Sequence, residues 1–241
     1  MGMVHFSVAS FKIKDINFKT ASLFLTNNID FCCGGNKAIS DACKEAGIDP
    51  EKLIKQLEKL VAEKDPDSEY INHLGLDALT DYIVKRHHVY VRESIPPLKK
   101  NLEKICQVHG EHHPELFKIK ELFFGSAEAL TLHLQKEEDI LFPYIQQLEL
   151  AKKANSSLPP SHFGSVSNPI ETMLTEHQNE GERFDEISRL SNNYLLPEGG
   201  CTTYEVTLKQ LSDFENDLHR HIHLENNILF PKAIELEHTY Q

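Results

Sequence analysis

One eleven-residue pattern occurs twice in this chain, and it limits the possible folds more than any other feature. HLQKEEDILFP spans 133–143 and HIHLENNILFP spans 221–231, so both read H-x-x-x-E-x-x-I-L-F-P, 88 residues apart. A four-residue spacing puts the histidine and the glutamate on one helix face, about one turn apart. Another histidine precedes each copy on its own helical stretch. These are His88 and His177, 89 residues apart. The chain therefore reads as two helical hairpins of one kind. Each carries a lone histidine on its first helix and a His-x-x-x-Glu pair on its second.

Four long helices are predicted, over roughly 76–107, 114–150, 169–193 and 203–238. Pro96-Pro97 should kink or break the first, because proline removes a backbone donor and crowds the preceding turn. Thr202 and Glu205 read as a capping box opening the fourth. LPPSHFGSVSN and LLPEGGC read as loops. No sustained alternation of apolar and polar residues marks a strand. The fold class is thus all-α, with a four-helix bundle over 69–241.

Residues 1–68 form a separate small helical unit in this reading. It holds a short helix over Ala21–Thr26, a turn at IDFCCGG, and a second helix from Asn36 to Ala46 ended by Gly47. Asp49-Pro50-Glu51 starts a third that runs to about Val61, with an acidic N-cap and proline in the first turn. The polar stretch EKDPDSEYINHLG is the linker to the bundle.

The helix faces select among the fourteen histidines. Val84, His88, Val91, Ile95 and Leu98 share a face, whereas His87 falls with Ile83, Tyr90 and Ser94, a poorer apolar stripe. Leu130, His133, Glu137, Ile140 and Leu141 share another. So do Ile170, Met173, His177, Phe184 and Ile187, and likewise Leu211, Phe214, Leu218, His221, Glu225 and Ile228. A carboxylate on an apolar face is costly unless it is paired or binds a metal. Glu137 and Glu225 both face this problem, and a shared metal centre solves both. A single histidine on such a face is most often a hydrogen-bonded core residue; six matching positions in two repeats are not. The expected metal ligands are His88, His133, Glu137, His177, His221 and Glu225. Four imidazoles and two carboxylates suit iron, zinc or copper better than magnesium or calcium. Two metals bridged by the carboxylates is the natural arrangement. His219 and His223 lack counterparts in the first hairpin and are assigned to the rim or to the layer of residues around the ligands. Glu138 is left out of the ligand set because its counterpart is Asn226.

The net charge of −12 argues against nucleic acid as a partner, since phosphate binding needs a basic face. No apolar run is long enough for a membrane span or a secretory segment, so no membrane partner is expected and the chain is placed in the cytoplasm. Five cysteines, an odd number, read there as thiols and not as a disulfide framework. Cys32 and Cys33 are adjacent and followed by Gly34-Gly35. A helix starting just beyond would lower their pKa and make a reactive or metal-binding pair. A tight turn with two small buried side chains is the equal alternative. Cys43, Cys106 and Cys201 stand alone and read as structural.

The combination of DFCCGG at 30–35, RHHVYVRESIPPL at 86–98, TEHQNEGE at 175–182 and the two repeats resembles the Repair of Iron Centres family. These are hemerythrin-like di-iron proteins with a short N-terminal cysteine domain, and the resemblance covers nearly the whole chain. It implies two iron ions per chain. It also implies restoration of iron–sulfur clusters damaged by nitrosative or oxidative stress, with damaged iron–sulfur proteins as partners. The centre would donate iron, react with nitric oxide, or carry out nitric oxide reduction as an enzyme. Carried over position by position, the family's histidine ligands fall on His88, His133, His177 and His221. Its carboxylates fall on Glu137 and Glu225, and its thiols, candidates for redox or iron transfer, on Cys32 and Cys33. Glu176 is a candidate for lining the approach to the metals. The competing readings are a dioxygen or nitric oxide binding or sensing protein, a scaffold with a structural metal, and a di-iron oxidase, which usually has more carboxylates. The sequence leaves the oligomeric state open, a homodimer among the options.

Overall fold

The computed structural model describes residues 23–24, 27, 29, 39–62, 70–71, 73–158 and 160–240. Cys32 and Cys33 and the rest of the predicted turn after Ile29 lie outside these residues, as do positions 21, 22, 25 and 26 of the first predicted helix. Every element among the described residues is helical. The small N-terminal part contains α1 (Ile39–Ala46) and α2 (Pro50–Ala62). Gly47 stops α1 with a φ of +68°, a conformation that favours glycine. The Asp49 carboxylate accepts a hydrogen bond from the Glu51 N–H at 2.9 Å and opens α2, as the Asp-Pro-Glu sequence requires.

The bundle begins with α3 (Leu76–Ile83), which passes through a π turn at Val84–His88 into α4 (Val89–His109). The second long rod is α5 (Glu115–Lys136), a π turn at Glu137–Leu141, and α6 (Phe142–Ala154). The third is α7 (Ser167–Leu190). The fourth is α8 (Thr202–Leu224), a π turn at Glu225–Leu229, and α9 (Phe230–His238). Helix α4 packs on α5 and α8, and α5 packs on α7. The four rods match the predicted stretches closely, but their details differ in instructive ways.

Pro96 and Pro97 do not break the first rod, since both lie inside α4. The carbonyls they deprive of a partner belong to Arg92 and Glu93, which sit on the exposed face where water can bond them. The third rod stops at Leu190 because Asn192, Asn193 and Tyr194 take φ of 51°, 57° and 60°, a left-handed run no α-helix can include. The capping box does not form. Helix α8 starts one residue earlier than expected, with Cys201 at the N-cap, no side-chain cap, and Glu205 N–H bonded to the Cys201 carbonyl.

Helical periodicity does not predict the three π turns, and they explain the repeated motif. In the two repeats the N–H of the motif phenylalanine bonds to the carbonyl of the motif glutamate: Phe142 to Glu137, and Phe230 to Glu225. The next residue is proline, which has no N–H for the carbonyl four residues back, and a widened turn accommodates that loss. Leu141 stays buried while Ile140, expected on the same face, is 40% exposed; its counterpart Ile228, at the same place in the other π turn, is 1% exposed, so the turn alone does not decide this.

Two apolar clusters fill the bundle. One contains Val91, Phe123, Leu130, Leu134, Phe184, Phe214 and Leu218, and also takes in Leu53 and Leu57 of α2. The other contains Ile83, Leu141, Phe142, Met173, Leu224, Ile228 and Phe230. The motif histidines and glutamates fall in the layer between them, where the second rod passes from Leu130 and Leu134 to Leu141 and the fourth from Leu218 and Ile222 to Ile228.

Candidate metal centre

In that layer the structure brings together all six residues singled out from the repeat. His88, Glu137, His221 and Glu225 form one group and His133, Glu137, His177 and Glu225 another, and within each group the candidate ligand atoms lie within 4.8 Å of one another. Both carboxylates belong to both groups. Glu225 places Oε1 at 2.9 Å from His221 Nε2 and Oε2 at 3.1 Å from His177 Nε2. Glu137 Oε2 lies 3.4 Å from His88 Nε2 and 3.5 Å from His133 Nε2. Within each group the imidazoles face each other through Nε2, at 3.2 Å for His88 and His221 and 3.1 Å for His133 and His177. Metal–nitrogen bonds of about 2.0–2.1 Å put neighbouring nitrogens on one ion about this far apart.

The outer nitrogens explain why the inner ones point inward. His88 Nδ1 lies 2.7 Å from Glu138 Oε1, His133 Nδ1 2.8 Å from Glu176 Oε2, and His177 Nδ1 2.7 Å from Asn226 Oδ1. All three partners are acceptors, so each Nδ1 carries the proton and each Nε2 keeps its lone pair. Glu138 is anchored by Arg92 at 2.8 Å, and Glu176 by Lys136. Sequence reasoning left Glu138 out of the ligand set, and it does lie outside both groups. Its orienting role was missed, and so was that of Asn226. The available signal was that both directly follow the motif glutamate and can both accept a hydrogen bond.

Burial sets the protonation state of the donors. It pushes the His88 imidazole down to about 3, helped by the nearby His221 ring. Burial also pulls His133 down to about 4, against the pull of Glu176. Both rings are therefore neutral at ordinary pH, as metal ligation requires. Glu137 is raised well above the usual carboxylate range by burial and by the charge of Glu225. Burial pushes Glu225 the same way, but His221 and His177 together outweigh it and hold this carboxyl low. Neither oxygen of Glu137 has a hydrogen-bond partner among the described residues, although the side chain is fully buried. A buried carboxyl without a partner, set among four imidazoles of which three turn a fixed lone pair inward, is a donor set that fits cations.

His87, expected on a poorer face, is 4% exposed, because the π turn at Val84–His88 spreads two successive histidines over the inward side. It does not join either group; its Nδ1 lies 3.0 Å from Asp217. His219 and His223 are buried at 8% and 7% and stay outside both groups, which fits a place around the ligands and not one on the rim. A cavity of about 240 Å³ reaches His133, His177 and His221 from between α5, α7 and α8, with Glu176, Glu180 and Arg183 on its polar side. Of the cysteines read as structural, Cys43 and Cys106 are buried and Cys201 is exposed. His109 lies 3.2 Å from the Cys201 thiol and, with the first N–H groups of α8, lowers it to about 7.

Comparison with known proteins is consistent with this geometry. Residues 79–233 match the hemerythrin HHE cation binding domain, and residues 13–61 match the ScdA_N domain, described as of unknown function. The iron-sulfur cluster repair protein ScdA of Staphylococcus haemolyticus is 29% identical over 213 residues, 88% of this chain and 91% of its own length. The iron-sulfur cluster repair protein YtfE of Yersinia pestis is 34% identical over 217 residues, 90% of this chain and 91% of its own length. YtfE of Yersinia pseudotuberculosis gives the same figures.

Proposed function

This chain belongs to the hemerythrin HHE cation binding family, and we propose that it repairs damaged iron–sulfur clusters in the cytoplasm, working from two iron ions held in the bundle. The observation that carries the metal part of this reading is the His133–His177 pair. Both rings donate through Nδ1 to acceptors, so two lone pairs face each other at 3.1 Å in a buried layer, an arrangement that needs a cation between them. The names of relatives aligned over about nine-tenths of this chain support the repair role.

In this reading His88 and His221 would hold one iron and His133 and His177 the other, with Glu137 and Glu225 belonging to both groups. Ferrous iron held there would supply exchangeable metal for a damaged cluster and a site for nitric oxide. The chain's own residues do the rest. Glu138, Glu176 and Asn226 fix the imidazoles, and the two apolar clusters keep bulk water away. The cavity beside His133, His177 and His221 has room for a small ligand, which supports the nitric oxide branch and, as a second reading, a dioxygen or nitric oxide sensor. The division into a cysteine unit over 1–68 and a metal bundle over 69–241, with Cys32 and Cys33 passing iron or electrons to the client, is part of the same proposal. Among the described residues no helix is long and apolar enough to cross a membrane.

The test combines metal content and repair. Protein purified without air should carry close to two irons per chain and restore activity to an iron–sulfur enzyme inactivated by nitric oxide. Glu137→Ala/Glu225→Ala should carry almost none and restore nothing. Iron content unchanged in the double variant would overturn the assignment. A fully loaded protein that binds dioxygen reversibly and repairs nothing would favour the sensor.

A further inference from the structure

The two halves of the centre are related by the repeat, but their surroundings are not equal. On α7 the residue before His177 is Glu176, which reaches across to His133 Nδ1 at 2.8 Å. The equivalent residue on the first rod, before His88, is His87, and the ring it lies against is His221. That contact is a stack, with centroids 5.7 Å apart and planes 3° from parallel. A stacked ring limits tilt but offers no acceptor in the plane of the imidazole. The Nδ1 of His87 is itself turned to Asp217. His221 Nδ1 is consequently buried without a hydrogen-bond partner among the described residues. Three of the four imidazoles have an acceptor that fixes the proton on the outer nitrogen; His221 does not. Its Nε2 lies 2.9 Å from Glu225 Oε1, so the proton can sit on the inner nitrogen and bond the carboxylate, the position a metal would need.

We propose that the two metal positions are unequal, and that the ion held by His88 and His221 is the exchangeable one while the ion held by His133 and His177 stays. This deepens the repair reading and rests on its di-iron part. Partners of this outer kind typically change metal affinity about 10–100-fold. Iron-loaded protein is mixed without air with an excess of a coloured ferrous chelator, and release is followed by absorbance. Two phases of one iron each are expected, with rates about 10–100-fold apart. Asn226→Ala removes the acceptor from His177 and should speed the slow phase towards the fast one, leaving the fast phase unchanged. His221→Ala should abolish the fast phase and retain the slow one. Release of both irons in one phase, or acceleration of only the fast phase by Asn226→Ala, would overturn the inference. A starting content well below two irons would overturn the di-iron reading itself, a failure that the initial metal count separates from the first two.

Discussion

Glu137 and Glu225 occupy the same position in the two repeats and are both fully buried, yet their carboxyls are driven in opposite directions. Neither Glu137 oxygen has a hydrogen-bond partner among the described residues, and burial beside the charge of Glu225 raises it; Glu225 lies within 2.9 Å and 3.1 Å of His221 and His177, which hold it low. One acid proton and one negative charge shared by the pair is how the chain tolerates two carboxylates in its core without a cation. Binding two cations replaces that compromise.

Glu137→Gln should therefore separate folding from metal binding. Without metal the amide keeps the shape and cannot ionise, so folding no longer has to hold a proton on a raised carboxyl, and urea unfolding at pH 7 should show the metal-free variant more stable by about 1–3 kcal/mol. With iron or zinc added, the wild type should gain stability and the variant much less. A metal-free variant less stable than wild type would show that Glu137 is held by contacts other than those described.

The metal-free protein should lose stability on acidification from pH 7 to pH 5. Four buried imidazoles have lowered pKa values: His88 to about 3, His133 and His223 to about 4, and His87 in the same direction, each with burial as the largest cause. The unfolded chain binds protons at these sites from pH about 6.5 downward while the folded chain does not, so stability falls with pH below that point. Glu137 works the other way. Its raised pKa means that the unfolded carboxyl loses its proton first, so its contribution falls as pH rises above about 4.5. Glu225, held low, loses stability only as pH falls below its ordinary range. Glu180 and Glu215, also raised by burial, act with Glu137, so the loss between pH 5 and 7 is the small excess of four histidines over three glutamates. Denaturant titrations at several pH values check the slope, and a rise in stability on acidification would count against neutral buried imidazoles.

Glu237→Ala should destabilise the fold while leaving the metal ratio intact. The carboxylate is 2% exposed and accepts hydrogen bonds from Tyr144 at 2.9 Å, Ser165 at 2.6 Å and the Val166 N–H at 2.9 Å. It ties α6 and α9 to the start of α7. Removing it strands several buried donors, for a loss of about 3 kcal/mol or more. Thermal unfolding with a metal assay on the same sample tests both halves of this expectation.

Cys32→Ser/Cys33→Ser should keep close to two irons per chain and lose most of the repair activity. Full repair by this variant would remove the thiols from the proposed mechanism and leave the bundle as the whole machine.

The repeat alone made the four rods, the choice of His88, His133, His177 and His221 over the other histidines, and the pairing with Glu137 and Glu225 legible, because helical periodicity is a local property and a buried acid on an apolar face demands a partner. Local pattern misplaced His87, since it assumed an unbroken α period and a π turn adds a residue at that point, and it could not tell the exposed Ile140 from its buried counterpart Ile228. It also could not find Glu138, Glu176 and Asn226 as the acceptors that aim the imidazoles, because each acts on a ring from another rod, across sequence separations of 50, 43 and 49 residues. What only the tertiary structure decided is the inequality within the repeat. His221 differs from its counterpart His133 in nothing the motif shows. Packing gives one an acceptor from α7 and the other a stacked ring from the first rod.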